Sequence, residues 1–424
     1  MSQNDPCTHF GRCGGCAAQD VPYEQQLANK AEALGTLFAP FWDRPIDVMP
    51  SPALWHYRNK IDPVFTPKRY EAPPPPGFVR ETVLGFKERG RWSWPLELEE
   101  CRIGPEGVER LFAAVNDWHR PLGLSGFDTR RQEGFLRALL VRDAKRTGQR
   151  MVVLITSPGP LDTAPFVAAV REHFRADSIY RGIFSGGAEV ATADELELLY
   201  GAPAIEESLV IREDPPRDTW ENPVAALSAL QAGEGRSLSF RISPLSFFQT
   251  NPLGAERLYG LIRAWVRRVA PDTLYDLFGG MGGIAFSCAD LVRQVWSVEN
   301  VAAASEDGHH NAAVNGIGNV EFVTNEVKNY LKDCLTAGGF QGKVAVVLDP
   351  PRSGMHPKAI RRLVELRPPH VLYVSCNPKV LVGELPSYLE AYRLEGVRAV
   401  DMFPHTPHVE VLAEFAARDD APIE

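Results

Sequence analysis

The stretch Leu274-Tyr275-Asp276-Leu277-Phe278-Gly279-Gly280-Met281-Gly282-Gly283 decides the fold expected for this chain. Its first residues predict a buried parallel strand, and the glycines that follow allow the tight turn at which a nucleoside approaches the backbone. Glu299 ends the next apolar segment about 20 residues further on, where an acidic side chain hydrogen-bonds ribose hydroxyls. Together these features indicate an adenosine-containing cofactor. The glycine spacing departs from the dinucleotide pattern, which favours S-adenosylmethionine over NAD.

Strands and helices alternate from Leu258 onward. The expected strands are residues 273–277, 294–298, 320–324, 344–348, 370–375, 394–402 and 409–415. The wholly apolar segment 344–348 suits a sheet that helices cover on both faces. We therefore predict a doubly wound α/β domain with an antiparallel strand among its last strands.

The N-terminal half has a different pattern. Short apolar runs broken by turn residues occupy residues 46–240 and indicate a β-rich region, with a helix over 22–38 and helical pieces over 105–119 and 164–174. Asn251 before Pro252 predicts the N-cap of a helix that runs to about residue 268. The change of pattern divides the chain into domains of residues 1–245 and 246–424.

The formal net charge of −9 is unevenly distributed. Residues 187–236 contain 11 Asp or Glu against 3 Lys or Arg, which leaves the rest of the chain nearly neutral. Residues 120–150 and 55–91 each contain 8 basic residues, against 3 and 4 acidic ones. Such blocks are usually solvated faces, but phosphate binding needs only a local excess of positive charge. An acidic chain therefore does not exclude a nucleic-acid partner.

Cysteine use and hydropathy indicate a cytoplasmic protein without a membrane partner. No run approaches the roughly 18 apolar residues of a membrane span, and the first eight residues are polar rather than a signal peptide. The 7 cysteines are odd in number, which fits metal or catalytic use better than a disulfide framework.

The N-terminal cysteines predict a metal site. Cys7, Cys13 and Cys16 are separated by five and two residues with glycines among them, and Cys101 is the remaining cysteine of the N-terminal half. Four thiolates hold either a [4Fe-4S] cluster or zinc. The spacing differs from that of radical S-adenosylmethionine enzymes, which argues against radical chemistry.

Three later segments place reactive side chains at predicted strand ends. Asp349 opens an Asp-Pro-Pro-Arg turn, and Cys376 lies just before Pro378, which begins a helix. A helix N-terminus lowers a thiol pKa, so Cys376 is expected to be partly thiolate, although a lone cysteine is more often a core residue. Glu410 ends a polar turn and is a candidate general base, although such a turn is more often only a surface loop.

This combination of motifs resembles the RNA uracil-C5 methyltransferases, and specifically the iron-sulfur 23S rRNA (uracil-5-)-methyltransferases. The resemblance covers nearly the whole chain. It rests on Cys7, Cys13 and Cys16 with Cys101, and on residues 55–60, 134–137, 246–251, 276–278, 349–352, 375–378 and 403–410.

The resemblance implies an S-adenosylmethionine-dependent enzyme that methylates C5 of a 23S rRNA uridine, giving 5-methyluridine. It implies that Cys376 is the nucleophile that adds to C6 of the base, and that Glu410 removes the C5 proton. The residues expected at the cluster are Cys7, Cys13, Cys16 and Cys101, and those expected at S-adenosylmethionine are Gln249, Phe278, Gly280, Gly283, Glu299, Glu326 and Asp349.

The family architecture adds further expectations. They are a Rossmann-like class I methyltransferase domain, a β-rich α+β domain that carries the four-Cys cluster, and a monomer. The chain resembles the shorter type that lacks an N-terminal RNA-binding β-barrel, and residues of about 20–49 are expected on the catalytic domain. Gly283 stands where the family has Asn or Thr, so a side-chain contact is lost there. Asn325 and Glu326 both remain candidates to face the adenine.

Three alternatives stay open. The first is the same chemistry on tRNA, the second is a non-catalytic iron-sulfur protein that binds RNA, and the third is cytosine methylation. The residues expected to contact looped RNA are the aromatic Trp55, Tyr57 and Phe135 and the basic Arg130 and Arg131.

Overall fold

The structure is a computed structural model that describes residues 6–75, 77–212 and 235–419. Residues 213–234 of the acidic segment lie outside the described residues, as do residues 1–5 and 420–424 at the ends of the predicted domains 1–245 and 246–424. Contacts divide the chain into two units. Unit 1 comprises Met1–Val21, Ala53–Glu207 and Ile242–Leu245, and unit 2 comprises Pro22–Pro52, Ser208–Arg241 and Ser246–Glu424.

The described residues form nine α-helices and eighteen strands. The helices are α1 (Tyr23–Phe38), α2 (Val108–His119), α3 (Ala164–His173), α4 (Pro252–Val269), α5 (Gly283–Cys288), α6 (Ala302–Val314), α7 (Val327–Thr336), α8 (Pro357–Leu366) and α9 (Pro378–Leu389). The first strands are β1 (Val48–Met49), β2 (Lys60–Ile61), β3 (Val64–Pro67), β4 (Thr82–Glu88), β5 (Arg91–Glu97), β6 (Leu136–Asp143), β7 (Arg150–Thr156), β8 (Ser178–Ile183) and β9 (Glu195–Gly201). The others are β10 (Ile205–Ile211), β11 (Arg236–Ile242), β12 (Thr273–Leu277), β13 (Gln294–Glu299), β14 (Val320–Thr324), β15 (Val344–Leu348), β16 (His370–Ser375), β17 (Tyr392–Val400) and β18 (Glu410–Ala417).

Unit 2 contains a mixed sheet in the order β1-β17-β18-β16-β15-β12-β13-β14. The neighbours from β16 to β14 are parallel, and β1 is parallel to β17. Strand β18 is antiparallel to both β16 and β17. The predicted doubly wound α/β domain with an antiparallel strand near its end is therefore confirmed.

Both faces of this sheet are covered. Val346 and Leu348 of β15 pack in one core with residues of α1, α7, α8 and α9, while Ala345 and Val347 point to the opposite face and are also fully buried. This is why β15 is apolar at every position rather than at alternate positions. Asn251 caps α4 as predicted, because its side chain accepts a hydrogen bond from the Gly254 amide at 2.9 Å.

Unit 1 contains a second sheet, in the order β5-β4-β3-β6-β7-β8-β9 with β2 beside β6. Helices α2 and α3 contribute Phe112 and Phe166 to its core. One of the short apolar runs, residues 59–65, forms two strands rather than one, because Pro63 lies between β2 and β3 and has no amide hydrogen for the ladder. None of the described helices is long and apolar enough to span a membrane.

Candidate functional site

Strand register in unit 2 brings the predicted site residues to one edge of the sheet. Leu277 at the end of β12 is level with Val298 of β13 and with Leu348 of β15. Leu348 is in turn level with Tyr373 of β16, so four parallel strands end together. The residues that end or follow these strands are Phe278, Glu299, Asp349 and Cys376.

The antiparallel strand adds Glu410 to the same edge. Ser375 of β16 pairs with Val411 of β18, and Glu410 pairs with Val400 of β17. Ser375 is the last residue of β16, and Glu410 is the first residue of β18. The next position along this register therefore places Cys376 beside Glu410. The carboxylates of Glu410 and Asp349 both act on the Cys376 thiol, which places the three groups together.

The Cys376 thiol is less acidic than the sequence indicated. Burial, followed by the charges of Glu410 and Asp349, raises its pKa to about 11, and the Arg352 guanidinium opposes this rise. The expected lowering by the N-terminus of α9 is therefore wrong for the free protein, because desolvation and acidic neighbours outweigh it. Arg352 acts on the thiol although sequence reasoning gave it no role.

Glu410 is a buried acid with an unused oxygen. The residue is 4% exposed, and its Oε2 atom has no hydrogen-bond partner among the described residues. Burial and the nearby Asp349 raise its pKa well above the usual value of a glutamate. A buried polar oxygen without a partner costs free energy, which is typical of a position that a ligand completes.

Gln249 and Asp349 are linked directly. The Gln249 Nε2 atom donates to Oδ2 of Asp349 at 3.4 Å, and burial raises the Asp349 pKa. Asn251, two residues further on, donates from Nδ2 to the Met402 carbonyl at 3.0 Å. The segment before α4 is thus attached to the loop that leads to Glu410.

The glycine turn has the backbone that a close ligand approach requires. Gly280 and Gly282 have positive φ angles of 56° and 96°, and Phe278 has the unusual value of 70° for a residue with a side chain. The Gly280 amide donates to Glu299 Oε2 at 3.1 Å, and the Val301 amide donates to Oε1 at 2.8 Å. The Glu299 carboxylate is therefore held in place beside the turn.

A cavity of about 320 Å³ in unit 1 and one of about 420 Å³ in unit 2 are each lined by predicted ligand residues. The second is lined by Phe278, Asn300, Glu326, Pro351 and Met355, among others. Asn325 does not line it, and its amide donates to the Glu299 carbonyl at 2.9 Å. Of the two candidates for the adenine, Glu326 is the one at the cavity.

Asp276 and Gly283 flank the glycine turn. A Cβ atom at Gly283 would lie 2.5 Å from the hydroxyl oxygen of Tyr259, so the position accepts only glycine as α4 is now placed. Asp276 is fully buried, and its Oδ2 accepts from the Ala285 amide at 3.1 Å. Burial and the charges of Asp349 and Glu299 raise its pKa to about 8. Sequence reasoning assigned no role to Tyr259 or Asp276.

The cavity of about 320 Å³ in unit 1 is lined by all four predicted cluster cysteines. Two backbone contacts attach the N-terminal segment to β4. The Gly14 amide donates to the Lys87 carbonyl at 3.2 Å, and Cys13 forms an isolated antiparallel β-bridge with Glu88. All 7 cysteines are free thiols. Within the described ranges, no group of three or more His, Cys, Asp or Glu side chains converges on a single point as one metal ion requires.

The residues expected to contact RNA are only partly available to it. Arg130 and Arg131 are exposed, but Tyr57 is buried at 1% exposure, so its expected stacking on RNA is wrong. Trp55 lies under Arg102 at 4.7 Å, and Phe135 is partly buried.

Two arginines of the basic block at 120–150 are internal. Arg137 donates to the carbonyls of Gly186 and Ala188 at 2.6 and 2.8 Å, and Arg142 donates to the Pro244 carbonyl at 3.0 Å. A count of charges in the sequence therefore overstates the basic surface, because these guanidiniums satisfy backbone carbonyls inside unit 1.

Known proteins with this sequence pattern and fold are RNA methyltransferases. The family model for tRNA (uracil-5-)-methyltransferase matches residues 227–414. An RNA methyltransferase of Clostridium tetani is 32% identical over 97% of this chain and 84% of its own length. The tRNA (uracil(54)-C(5))-methyltransferase of Pyrococcus furiosus is 29% identical over 96% of this chain and 84% of its own length.

A solved structure agrees with these relatives. The tRNA (uracil-54, C5)-methyltransferase of Pyrococcus abyssi, in complex with S-adenosyl-L-homocysteine, superposes with a TM-score of 0.71 at 26% identity. The match covers 95% of this chain and 86% of that one. The chain therefore belongs to the RNA uracil-5-methyltransferase family and is an S-adenosylmethionine-dependent RNA (uracil-C5) methyltransferase.

Proposed function

We propose that this enzyme methylates C5 of a uridine in 23S rRNA, with Cys376 as nucleophile and Glu410 as general base. The observation that carries the proposal is the register of β16 against β18, which makes Cys376 and Glu410 neighbours at the edge that also holds Asp349. A thiol and a carboxyl so placed act on the two adjacent ring carbons that this reaction uses.

The chemistry begins at C6, because C5 of uracil is a weak nucleophile. The Cys376 thiolate adds to C6, and the electrons of the C5–C6 double bond move into the ring as an enolate. Bound S-adenosylmethionine would supply an electrophilic methyl group to C5, with cleavage of its S–CH3 bond and release of S-adenosylhomocysteine. Glu410 then removes the C5 proton, the double bond re-forms, and Cys376 leaves as the thiolate.

The protonation states of Cys376 and Glu410 in the free protein are consistent with a reaction that starts only when the cofactor is bound. With a pKa of about 11, Cys376 is a neutral thiol until a positive charge is brought near it. A cofactor sulfonium held at Asp349 would provide that charge. Glu410 must be ionised to take a proton, although burial and Asp349 raise its pKa; a cationic cofactor bound nearby would favour the ionised form before methyl transfer.

The order of the strand ends along the sheet edge supports the proposed cofactor contacts. The cavity at Phe278 and Glu326 would take the adenine, the fixed carboxylate of Glu299 the ribose, and Asp349 with Gln249 the region of the sulfonium. Gly280 and Gly283 would allow the backbone to approach the ligand.

An exposed aromatic side chain lies close in sequence to Gln249 and is our candidate to contact the target base. Phe247 is 64% exposed and lies two residues before Gln249, whose side chain contacts Asp349. A base must leave its stack to meet Cys376, at a cost of a few kcal/mol that an aromatic surface partly recovers. Phe247 would provide that surface.

Cys7, Cys13, Cys16 and Cys101 would hold a [4Fe-4S] cluster. Support comes from their position around one cavity of about 320 Å³, because tetrahedral zinc needs its four sulfurs about 2.3 Å from a single point. Burial raises the pKa of each of these thiols, so without a bound metal group the four thiols would be protonated and neutral. Thiolate ligation by a cluster would account for four thiols gathered in one place.

Methylation of tRNA is the second candidate function. It is favoured by the names of the similar Pyrococcus enzymes, both of which act on uracil 54 of tRNA. The four-cysteine cavity favours rRNA instead, since the family resemblance links that motif to 23S rRNA enzymes.

The test is mass spectrometry of unmodified 23S rRNA and of unmodified tRNA after incubation with the purified enzyme and S-adenosylmethionine. A methyl on a 23S uracil supports the proposal, and methylation of tRNA alone replaces it by the second candidate. Cys376→Ala should abolish methylation of either RNA. Glu410→Gln should accumulate a covalent RNA adduct, because methyl transfer precedes proton loss; the absence of a gel-stable adduct argues against Glu410 as base.

A further inference from the structure

Strand β9 is an exposed edge of the sheet in unit 1. Among the described residues β8 is its one neighbouring strand, so the other side of β9 presents backbone amides and carbonyls that no described strand pairs. Six of its seven residues are exposed, none is a proline, and a bulge interrupts its register only near the C-terminal end. A regular edge of this kind is a template on which another strand can pair.

Two leucines give β9 an exposed apolar face. Leu198 pairs with Tyr180 of β8, and Leu196 pairs with Gly182, so the two leucines lie two positions apart on the same side of the sheet. Their side chains are 42% and 43% exposed for Leu196 and Leu198. Covering both in an interface would remove this apolar surface from water.

The opposite face of β9 carries opposite charges at its two ends. It is the face of Ile179, which packs with residues of α2 and α3 and pairs with Tyr200. At this end the Arg171 guanidinium lies over the Tyr200 ring at 4.1 Å. At the other end are Glu195 and Glu197, whose partners on β8 share the face of Ile179. Neither glutamate has an ion-pair partner in the described part of the chain, and Arg171 is exposed.

A second copy of the chain, paired antiparallel about Leu198, would match both faces at once. With the two-fold axis perpendicular to the sheet, each face of one copy continues into the same face of the other. The leucines of both copies then form one apolar cluster, and the glutamates of each copy lie towards Arg171 of the other. Pairing shifted towards Glu195 and Glu197 would bring four carboxylates together, which disfavours that register.

We propose that β9 is a homodimer interface, at which two copies of this chain join their unit 1 sheets into one continuous sheet. Such a dimer goes beyond methyl transfer and replaces the monomer that the family resemblance implies. A strand of seven residues spans only about 23 Å, so the contact is smaller than an obligate interface. We therefore expect a reversible dimer with a dissociation constant of roughly 1 to 100 µM.

Sedimentation velocity of the full chain at about 1 to 200 µM tests this interface. The wild-type protein should change from monomer to dimer as its concentration rises. Leu198→Lys brings two positive charges together at the axis and should raise the dissociation constant at least about 30-fold. Leu122→Lys, at a leucine of unit 1 that is 56% exposed outside β9, is the matched control and should change it by less than about twofold. A wild-type protein that stays monomeric at every concentration, or equal effects of the two variants, overturns the proposal.

A charge exchange tests the antiparallel arrangement. Glu197→Arg and Arg171→Glu should each weaken dimerisation about tenfold, because each brings like charges together across the axis. The double variant restores opposite charges across the axis and should recover the wild-type dissociation constant to within about threefold. If the two single effects simply add in the double variant, these residues do not meet across the axis and the proposed pairing is wrong.

Discussion

The pKa values of the ionisable residues at the sheet edge depend strongly on burial and on neighbouring charges. Cys376, Glu410, Asp349 and Asp276 all have raised pKa values, and burial is the largest cause for each. Raised pKa values mean that these four groups are less ionised in the free protein than they would be in water. The site therefore has little net charge. A cationic cofactor then changes the protonation of all of them.

The first prediction concerns the reactivity of Cys376. Because its pKa is about 11, labelling by iodoacetamide should rise about tenfold per pH unit between pH 8 and 10, since only the thiolate reacts. Glu410→Gln should move this profile to lower pH, because a negative neighbour of the thiolate is gone. Peptide mass spectrometry measures both rates. The fully buried Cys288 should stay unlabelled as long as the protein is folded. A flat profile contradicts the prediction.

The second prediction concerns cofactor affinity. Asp276 has a pKa of about 8, so raising the pH from 7 to 9 ionises it and adds negative charge beside the glycine turn. Affinity for S-adenosylmethionine should therefore increase over this range, and more steeply than affinity for S-adenosylhomocysteine, whose sulfur is neutral. The two ligands share their amino group, so calorimetry of both isolates the sulfonium. Asp276→Asn should reduce the difference in slope, while Asp349, whose pKa burial raises to about 7, should account for the remainder; an unchanged difference would contradict the role of Asp276.

At the scale of elements, α1 is bound to the segment that precedes Glu410. Lys30 of α1 donates to Asp401 Oδ1 at 2.7 Å, and Tyr23 donates to Oδ2 at 3.0 Å. Gln26 accepts from the His405 amide at 2.8 Å. The helix was predicted from its amphipathic pattern, but its buried stripe carries polar side chains whose partners lie about 370 residues away in sequence. These contacts place the start of β18.

The third prediction follows from this ion pair. Lys30 and Asp401 have side-chain exposures of 7% and 0%, so Lys30→Met would leave a buried carboxylate without its cation. The free energy of unfolding should fall by about 3 to 5 kcal/mol, as measured by urea denaturation with tryptophan fluorescence. Glu32→Met, at an exposed position of the same helix, should change it by less than about 0.5 kcal/mol. Equal effects of the two variants would contradict the role of the pair.

At the scale of the whole molecule, RNA binding depends on which basic side chains reach the surface. The Asp128 side chain accepts from the Arg130 amide at 3.0 Å, and the Asp128 carbonyl accepts from the Arg131 amide at 3.1 Å. This turn fixes the backbone and leaves both guanidiniums exposed. Arg137 and Arg142, by contrast, are used inside unit 1.

The fourth prediction is therefore that Arg130→Glu with Arg131→Glu weakens RNA binding and flattens its salt dependence. Each lost phosphate contact should reduce the slope of log affinity against log salt by about 0.7 to 0.9. Filter binding at several salt concentrations measures the slope. Lys332→Glu with Arg361→Glu, at exposed positions of α7 and α8, reverses the same number of charges and should have a smaller effect. Unchanged affinity in the double variant would remove both arginines from the RNA surface.

The sequence by itself determined the elements of unit 2 and their order. Strand ends at residues 273–277, 320–324, 344–348 and 370–375 agree with β12, β14, β15 and β16, because local apolar runs, glycine turns and capping residues act over a few positions. It also named Asp349, Cys376 and Glu410 as residues at strand ends. These properties depend only on residues that are close together in the sequence.

Only the tertiary structure decided which of these residues meet and in what state. The pairing of Ser375 with Val411 sets Cys376 beside Glu410, and desolvation reverses the expected acidity of the thiol. Tyr259 reaches Gly283 across 24 residues, and Arg137 turns inward. Register, burial and close approach arise from contacts between distant segments, and the energies of such contacts depend on distances that no local pattern contains.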